Sequence, residues 1–228
     1  MNRKQFLKNI FASAALLALP TSFLLAEKNE IIKPKKQLHF VGLGGGGCNA
    51  VEFIQQRMSN AKFTCISSPV RKYEKSNIKF VELNLHDWFD VANVRKDYLN
   101  DKIFFRGIER VEEVFRTDDT FIILVGAGGD TGTMIAHDVF ERMRSNNRDC
   151  YMVSTFPFDF EGRCRIKMAT TFVNRFKLDT HFGLVSNEEM RRIYGDMDIA
   201  DVFAKIDELM MDKALELVKK NNFEGIFN

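Results

Sequence analysis

Two glycine-dense turns hold the residues whose types and spacing best suit chemistry: Gly42-Leu43-Gly44-Gly45-Gly46-Gly47-Cys48-Asn49 and Gly126-Ala127-Gly128-Gly129-Asp130-Thr131-Gly132-Thr133. Each lies between an apolar, strand-like run and an amphipathic, helix-like run. Glycine is used this densely where backbone takes positive φ and approaches a ligand closely. A helix that starts directly after such a turn aims unpaired N–H groups and a positive dipole end at that ligand, which suits phosphate. Any tight strand-to-helix corner favours glycine, so one such turn says little. Two in one small domain point to a nucleotide.

The elements that would position these turns alternate along the chain. Leu38–Gly42 reads as a buried strand and Asn49 to about Ser59 as a helix, with Val51, Ile54 and Met58 on one face. Phe63–Ile66 and Ile78–Leu83 read as strands separated by polar loop. From Asn84 to Arg110 the pattern is mixed, with helical turns around Val91–Leu99, and Arg110–Phe115 is helical. Thr120–Val125 is apolar throughout, as a central parallel strand should be. A helix to about Arg144 follows the second turn, then a strand at Tyr151–Thr155, a helix at Arg163–Phe176 and a strand at His181–Val185. A long helix, Ile199 to Lys220, carries an apolar stripe of Val202, Phe203, Ile206, Leu209, Met210, Leu215 and Val218. This alternation implies right-handed βαβ crossovers and a three-layer α/β sandwich around a mostly parallel, Rossmann-like sheet.

Composition narrows the function classes. With 228 residues and 45% hydrophobic content the chain supports one sizeable core. Lys and Arg number 33 against 31 Asp and Glu, so no global field recruits nucleic acid, and no nucleic-acid partner is expected. The abundant Phe residues fall on apolar faces without interleaved arginines, unlike a base-stacking platform. Cys48, Cys65, Cys150 and Cys164 form no C-x-x-C pair and read as reduced thiols; no metal site is assigned. His39 and His181 sit in strand-like runs and read as core or edge residues rather than catalysts.

The N-terminus reads as a separate object. Arg3, Lys4 and Lys8 precede an apolar run from Ile10 to Ala26 interrupted by Pro20, the layout of a secretory signal or short membrane anchor. Asn2 to Lys8 resembles a twin-arginine export motif with lysine in the second arginine position. Leu24 stands where a small residue is wanted before a cut after Ala26, and the run is near the lower limit of about 17 residues for a membrane-spanning helix. With basic residues on both sides of the run, the positive-inside rule assigns it no orientation. Export signal, membrane contact through residues 10–26, and an extension packed on the domain all stay open. The location is then the cytoplasmic face of the inner membrane or the periplasm. The expected organisation is signal or anchor at 1–26, linker at 27–37 and one nucleotide-binding domain at 38–228.

Leu38 to the C-terminus resembles the nucleotide-binding domain of the FtsZ/tubulin family. GLGGGGCNAV is similar to the family's opening phosphate loop, and GAGGDTGT to its signature loop. Pro157-Phe158-Asp159-Phe160-Glu161-Gly162-Arg163-Cys164-Arg165 is similar to its PF-x-FEG-x-x-R segment, and Val185-Ser186-Asn187-Glu188 stands where it has a short Asn-Asp loop. The resemblance implies GTP or GDP as ligand. Gly44, Gly45, Gly46, Gly47 and Asn49 would cradle the diphosphate, with Gly128, Gly129, Thr131, Gly132 and Thr133 facing it from the second loop. Glu161 would contact the ribose and Arg165 the terminal phosphate. Asn187 would hydrogen-bond the guanine, Phe203 would stack on it, and Glu208 would accept from its N1–H and exocyclic amine. A slip of one position would give that last role to Asp207. An FtsZ-like partner or self-association is also implied.

Three departures bear on mechanism. Asp130 replaces a glycine of the signature loop, and Met134 replaces a second small residue. Two unit charges about 5 Å apart at an effective dielectric near 20 repel by about 3 kcal/mol, roughly two decades of affinity. Asp130 therefore turns outward, helps to hold Mg²⁺, or marks a degenerate site. The family's glycine-rich loop over the γ-phosphate has no counterpart between Leu83 and Val111, and Ser67-Ser68-Pro69 lacks its Asn-x-Asp. The chain stops where the family continues into an acidic loop that activates water, so hydrolysis is expected to be weak or absent and no catalytic residue is assigned. The expected function is guanine-nucleotide binding by an assembly module. The alternative is a non-catalytic exported or membrane-tethered interaction protein with a degenerate site.

Overall fold

The computed structural model describes residues 36–67, 77–83 and 109–221. The expected signal or anchor, most of the linker, the loop at 68–76, the turns around Val91–Leu99 and the last seven residues lie outside these. In chain order the described elements are β1 (Leu38–Leu43), α1 (Gly44–Gln55), β2 (Ala61–Ser67), β3 (Ile78–Glu82), α2 (Glu109–Val114), β4 (Thr120–Gly126), α3 (Asp130–Ser145) and β5 (Cys150–Phe156). A 3₁₀ turn (Asp159–Glu161), α4 (Arg163–Phe176), β6 (Phe182–Ser186), α5 (Asn187–Ile193) and α6 (Ile199–Lys220) complete them.

Among the described residues the strands form one sheet of order β3-β2-β1-β4-β5-β6, and every neighbouring pair is parallel. The fold is a Rossmann-like α/β sandwich. Its central strand shows why. β4 is apolar at every interior position because both of its faces are covered. Phe121, Ile123 and Val125 point into a core with α2, α3 and α4, and Ile122 and Leu124 into a second core with α1, α5 and α6; all five are fully buried. β1 divides its side chains the same way, with Phe40 on the α1 side and Val41 and Leu43 on the α3 side. His39, next to Phe40, is buried with Nε2 2.8 Å from Thr64 Oγ1. Burial holds its pKa down to about 4 despite Asp119 nearby, which keeps it a neutral core residue.

Helix α6 follows its 3.6-residue period closely. Val202, Ile206, Met210, Ala214, Leu217 and Val218 are buried against the sheet, each large aliphatic adding roughly 1.5–3 kcal/mol by leaving water. Phe203 and Leu209, which the sequence places in the same stripe, are 46% and 38% exposed instead. They sit about a hundred degrees around the helix from the buried row, on its flanks.

Helix α1 starts at Gly44, not near Asn49 as the glycine run suggests. The run is itself the first helical turn. Only Gly44 in it has positive φ, at 69°, so backbone conformation does not demand glycine at the others, and lack of room demands it only at Gly47. A Cβ on Gly47 would stand 2.1 Å from the Leu124 carbonyl oxygen, where α1 lies directly on β4. At Gly45 a Cβ would meet nothing within 4 Å. Gly47→Ala is therefore expected to cost about 3 kcal/mol or more, because backbone must move to admit the methyl. Gly45→Ala should stay within about 0.5 kcal/mol of the unsubstituted chain. Urea unfolding midpoints of the two variants measure this, and equal midpoints would refute the close-approach argument.

Candidate functional site

The chain builds outward from β1 to β2 and β3 on one side, then crosses back to β4 and continues to β5 and β6 on the other. β1 and β4 are neighbours in register, with Leu43 opposite Val125. Their connections leave in opposite directions, which opens a crevice at the carboxyl ends of the strands, the usual ligand position in such sheets. A cleft of about 400 Å³ lies there.

One end of the cleft is made of main chain. Gly44, Gly45, Gly46 and Asn49 line it from α1, and Gly126, Ala127, Gly129, Asp130, Thr131 and Gly132 from the β4–α3 corner. The two corners touch through backbone: a Cβ on Gly44 would be 3.0 Å from Gly132 Cα, and one on Gly46 would be 3.4 Å from Gly126 Cα. Neither helix start is capped by a side chain, because the N-cap residues are Leu43 and Gly129. The first-turn N–H groups of both helices thus lack intrahelical partners and open on one cavity.

Three residues expected at this end take structural roles instead. Gly47 packs on Leu124. The Gly128 N–H donates to Thr133 Oγ1 at 2.9 Å, so this pair closes the corner on itself. Gly128 has φ +90°, and a Cβ there would lie 2.6 Å from the Arg165 main chain, which makes it the point where α4 leans on the loop. Asp130 lines the cleft as an exposed side chain. It neither plugs the cavity nor packs against a partner among the described ion pairs. Met134, half-buried, is not part of the wall.

Glu161 and Arg165 form the middle of the wall and are joined to each other by an ion pair. Glu161 also accepts the Phe158 N–H at 2.8 Å, which anchors the 3₁₀ turn to its own side chain. The other end is made of α5 and α6. Asn187 opens α5, behind an N-cap Ser186 whose Oγ accepts the Glu189 N–H. The residue pattern reads as a loop in this stretch, although Ser186 and Glu189 have the spacing of a capping box. Asn187 is 7% exposed, lines the cleft, and leaves Oδ1 buried without a hydrogen-bond partner. Its neighbour Glu188 accepts the Asp159 N–H and pairs with Arg191, which ties α5 to the 3₁₀ turn. That guanidinium holds the Glu188 carboxyl down at about 2.

From α6 come Phe203, Ile206, Asp207 and Met210. Phe203 meets Phe158 edge to face at 5.6 Å and leaves its remaining surface exposed to the cavity. Glu208, expected to line the site, does not. It is half-exposed and pairs with Lys205 at 2.8 Å, while Asp207 faces the cleft. The helix rotation decides between these adjacent carboxylates, since Asp207 follows the buried Ile206. Burial pushes the Asp207 pKa up to about 7, helped by the negative charge of Glu52 on α1 and opposed by Arg57. Ser67 and Thr155 also line the cleft; each ends a strand, a position that sequence periodicity does not mark as a site. Among the described residues no His, Cys, Asp and Glu cluster is arranged to hold a metal ion.

No protein-family model matches the chain. It is 26% identical over 180 residues to the cell division protein FtsZ of Mycoplasmopsis pulmonis, covering 78% of this chain and 46% of that one. The structure superposes on the empty FtsZ dimer of M. jannaschii with a TM-score of 0.60 and 24% identity, over 92% of this chain and 62% of the other. A GDP-bound CetZ1 monomer from Haloferax volcanii gives a TM-score of 0.55 at 16% identity, over 77% and 58%. The fold is that of the FtsZ/tubulin structures. The chain spans less than two thirds of the length of each of these proteins.

Asp207 is the measurable signature of this arrangement. Its carboxyl is expected to titrate near 7 in carbon-detected NMR. Glu52→Gln should lower that value yet leave it above the ordinary range, because burial is the larger cause. The folded value lies above the unfolded 3.8, so this group's contribution to stability is lost as pH rises through the interval up to about 7. A titration at the usual carboxylate value would remove Asp207 from the cleft wall.

Proposed function

We propose that the cleft binds a guanine nucleotide, GTP or GDP, and that the chain serves as a binding and assembly module with weak or no hydrolysis. The phosphates lie across the first turns of α1 and α3, accepting from the N–H groups of Gly44 to Gly46 and of Thr131 and Gly132. Asn49 borders the same end. Glu161 and Arg165 flank the ribose and the phosphate chain. The base stacks on Phe203 between Asn187 and Asp207.

Guanine follows from the chemistry of the α6 end. Its N1–H and exocyclic amine form a donor pair that one ionised carboxylate accepts, whereas adenine presents an acceptor at N1. The observation that carries the proposal is the meeting of two uncapped helix starts in a cavity whose far wall holds the buried, unpartnered Oδ1 of Asn187. The FtsZ name of the M. pulmonis relative and the GDP in the CetZ1 structure support the same ligand class. Slow turnover fits Glu161, whose two oxygens are engaged by Arg165 and the Phe158 N–H, so it is not free to act as a base. Self-association is part of the proposal and draws on the dimer of the M. jannaschii protein.

A second reading, an interaction protein with a vacated site, also has an observation behind it. A groove of about 510 Å³ between β6, α5 and α6 exposes Leu184, Ile193 and Leu209. It has no converging main-chain donors.

Calorimetric titration of the full chain with GDP, GTP and ADP separates the two. Guanine nucleotides are expected to bind, and Asp207→Ala to weaken them about 10- to 100-fold with little effect on ADP. Affinity for guanine should rise between about pH 6 and pH 8 as Asp207 ionises, and become flat with pH in Asp207→Asn. No heat with any nucleotide at about 1 mM would end the first reading in favour of the second.

A further inference from the structure

Carboxylates outnumber cations along the described wall of the cleft. Among the described residues that line the cleft, the charged groups are Asp130, Glu161, Arg165 and Asp207: three carboxylates and one guanidinium. The guanidinium is already closed on Glu161. Among the described residues the positive field at this end therefore comes from the two helix starts and the unpaired N–H groups of their first turns.

Asp130 competes for that field. It is the first residue of α3 and the acidic residue of its first turn, the place where the helix dipole would also hold a ligand's phosphate. It lines the same cavity, between Gly129 and Thr131, and lies on the wall that Gly132 shares with Gly44 across the corner contact. The α1 start carries no acidic residue in its first turn. The asymmetry puts one fixed negative charge at the α3 side of the phosphate end and none at the α1 side.

We propose that Asp130 occupies the place of a terminal phosphate charge and makes the cleft select nucleoside diphosphate over triphosphate. This rests on the nucleotide-binding function proposed for the cleft and adds its specificity. The diphosphate keeps the donors of both helix starts and brings one phosphate group fewer to the wall that holds the carboxylate. The triphosphate brings a further negative group toward an exposed carboxylate, and the guanidinium found among the described residues of the wall is already paired with Glu161.

The test is a competition series on the full chain with GDP, GTP and GMP, in chelator and again with excess Mg²⁺, for the unsubstituted chain and for Asp130→Asn and Asp130→Gly. GDP is expected to bind about tenfold tighter than GTP, the scale that remains once water and salt screen the repulsion of an exposed charge. Both variants should close the gap by strengthening GTP, while GDP changes less than about threefold. Raising the salt should narrow the gap in the unsubstituted chain and leave the variants unaffected. Equal affinities for GDP and GTP in the unsubstituted chain, or a gap that persists in Asp130→Asn, overturn the proposal and leave nucleotide binding intact. A gain in GTP affinity from Mg²⁺ that disappears in Asp130→Asn overturns it too, because the carboxylate would then be holding the metal. If no form binds any nucleotide, the underlying function fails and takes this specificity with it.

Discussion

One contact organises the molecule: main chain laid on main chain where the β1–α1 and β4–α3 corners meet. Side chains cannot fit there. Gly44 sits 3.0 Å, by its would-be Cβ, from the Gly132 Cα, and Gly47 is pressed onto the Leu124 carbonyl. The closeness comes from the strand order, which makes β1 and β4 neighbours in register. Its consequence is electrostatic. Two sets of N–H groups that would each be satisfied by a cap or by water face a common cavity, and neither N-cap residue, Leu43 or Gly129, caps its helix with a side chain.

A side-chain cap at a helix start contributes about 1 kcal/mol of stability. Leaving two uncapped, with glycine at the helix starts, is a local disagreement between sequence and stability of the kind found at ligand sites. The buried, unpartnered oxygen of Asn187 at the opposite end is a second such disagreement. The elements behind these exposed groups are conventional. α3 and α4 close one core, α1 and α6 the other, and the ring contacts of Phe140, Phe172 and Phe176 fill the α3–α4 contact. Buried polar atoms without a partner also occur away from the cleft, at Thr120 and Asp138 among others, but only at the cleft do two uncapped helix starts share a cavity with one.

The base end depends on a different balance. Asp207 is held in a partly buried position beside Glu52, so its charge is costly until donors arrive to meet it. Glu188 is also carboxylate-bearing and shielded, yet Arg191 and the Asp159 N–H satisfy it and its pKa falls rather than rises. The first group is poised for a ligand and the second is a brace for α5. Acidic residues on adjacent helices thus serve opposite purposes according to their partners.

The residue pattern by itself determined the layers, the parallel sheet and the two helix-start corners, because these follow from apolar runs and local period. Arg163–Phe176 and Ile199–Lys220 are helices with the bounds the periodicity implies. It left α5 unread, since seven polar-rich residues carry little periodic signal and their stability comes from Glu188 and the 3₁₀ turn. It also placed α1 five residues late, because glycine reads as a breaker where backbone crowding is what demands it. Only the tertiary structure decided that Asp207 rather than Glu208 faces the cavity, that Gly128 and Thr133 satisfy each other, and that Arg165 is engaged by Glu161. The first depends on a rotation of about a hundred degrees around α6, and the other two on how a corner and a 3₁₀ turn fold back on residues five and four positions away; the order of residue types fixes neither, because each residue had a second partner open to it in the proposed ligand.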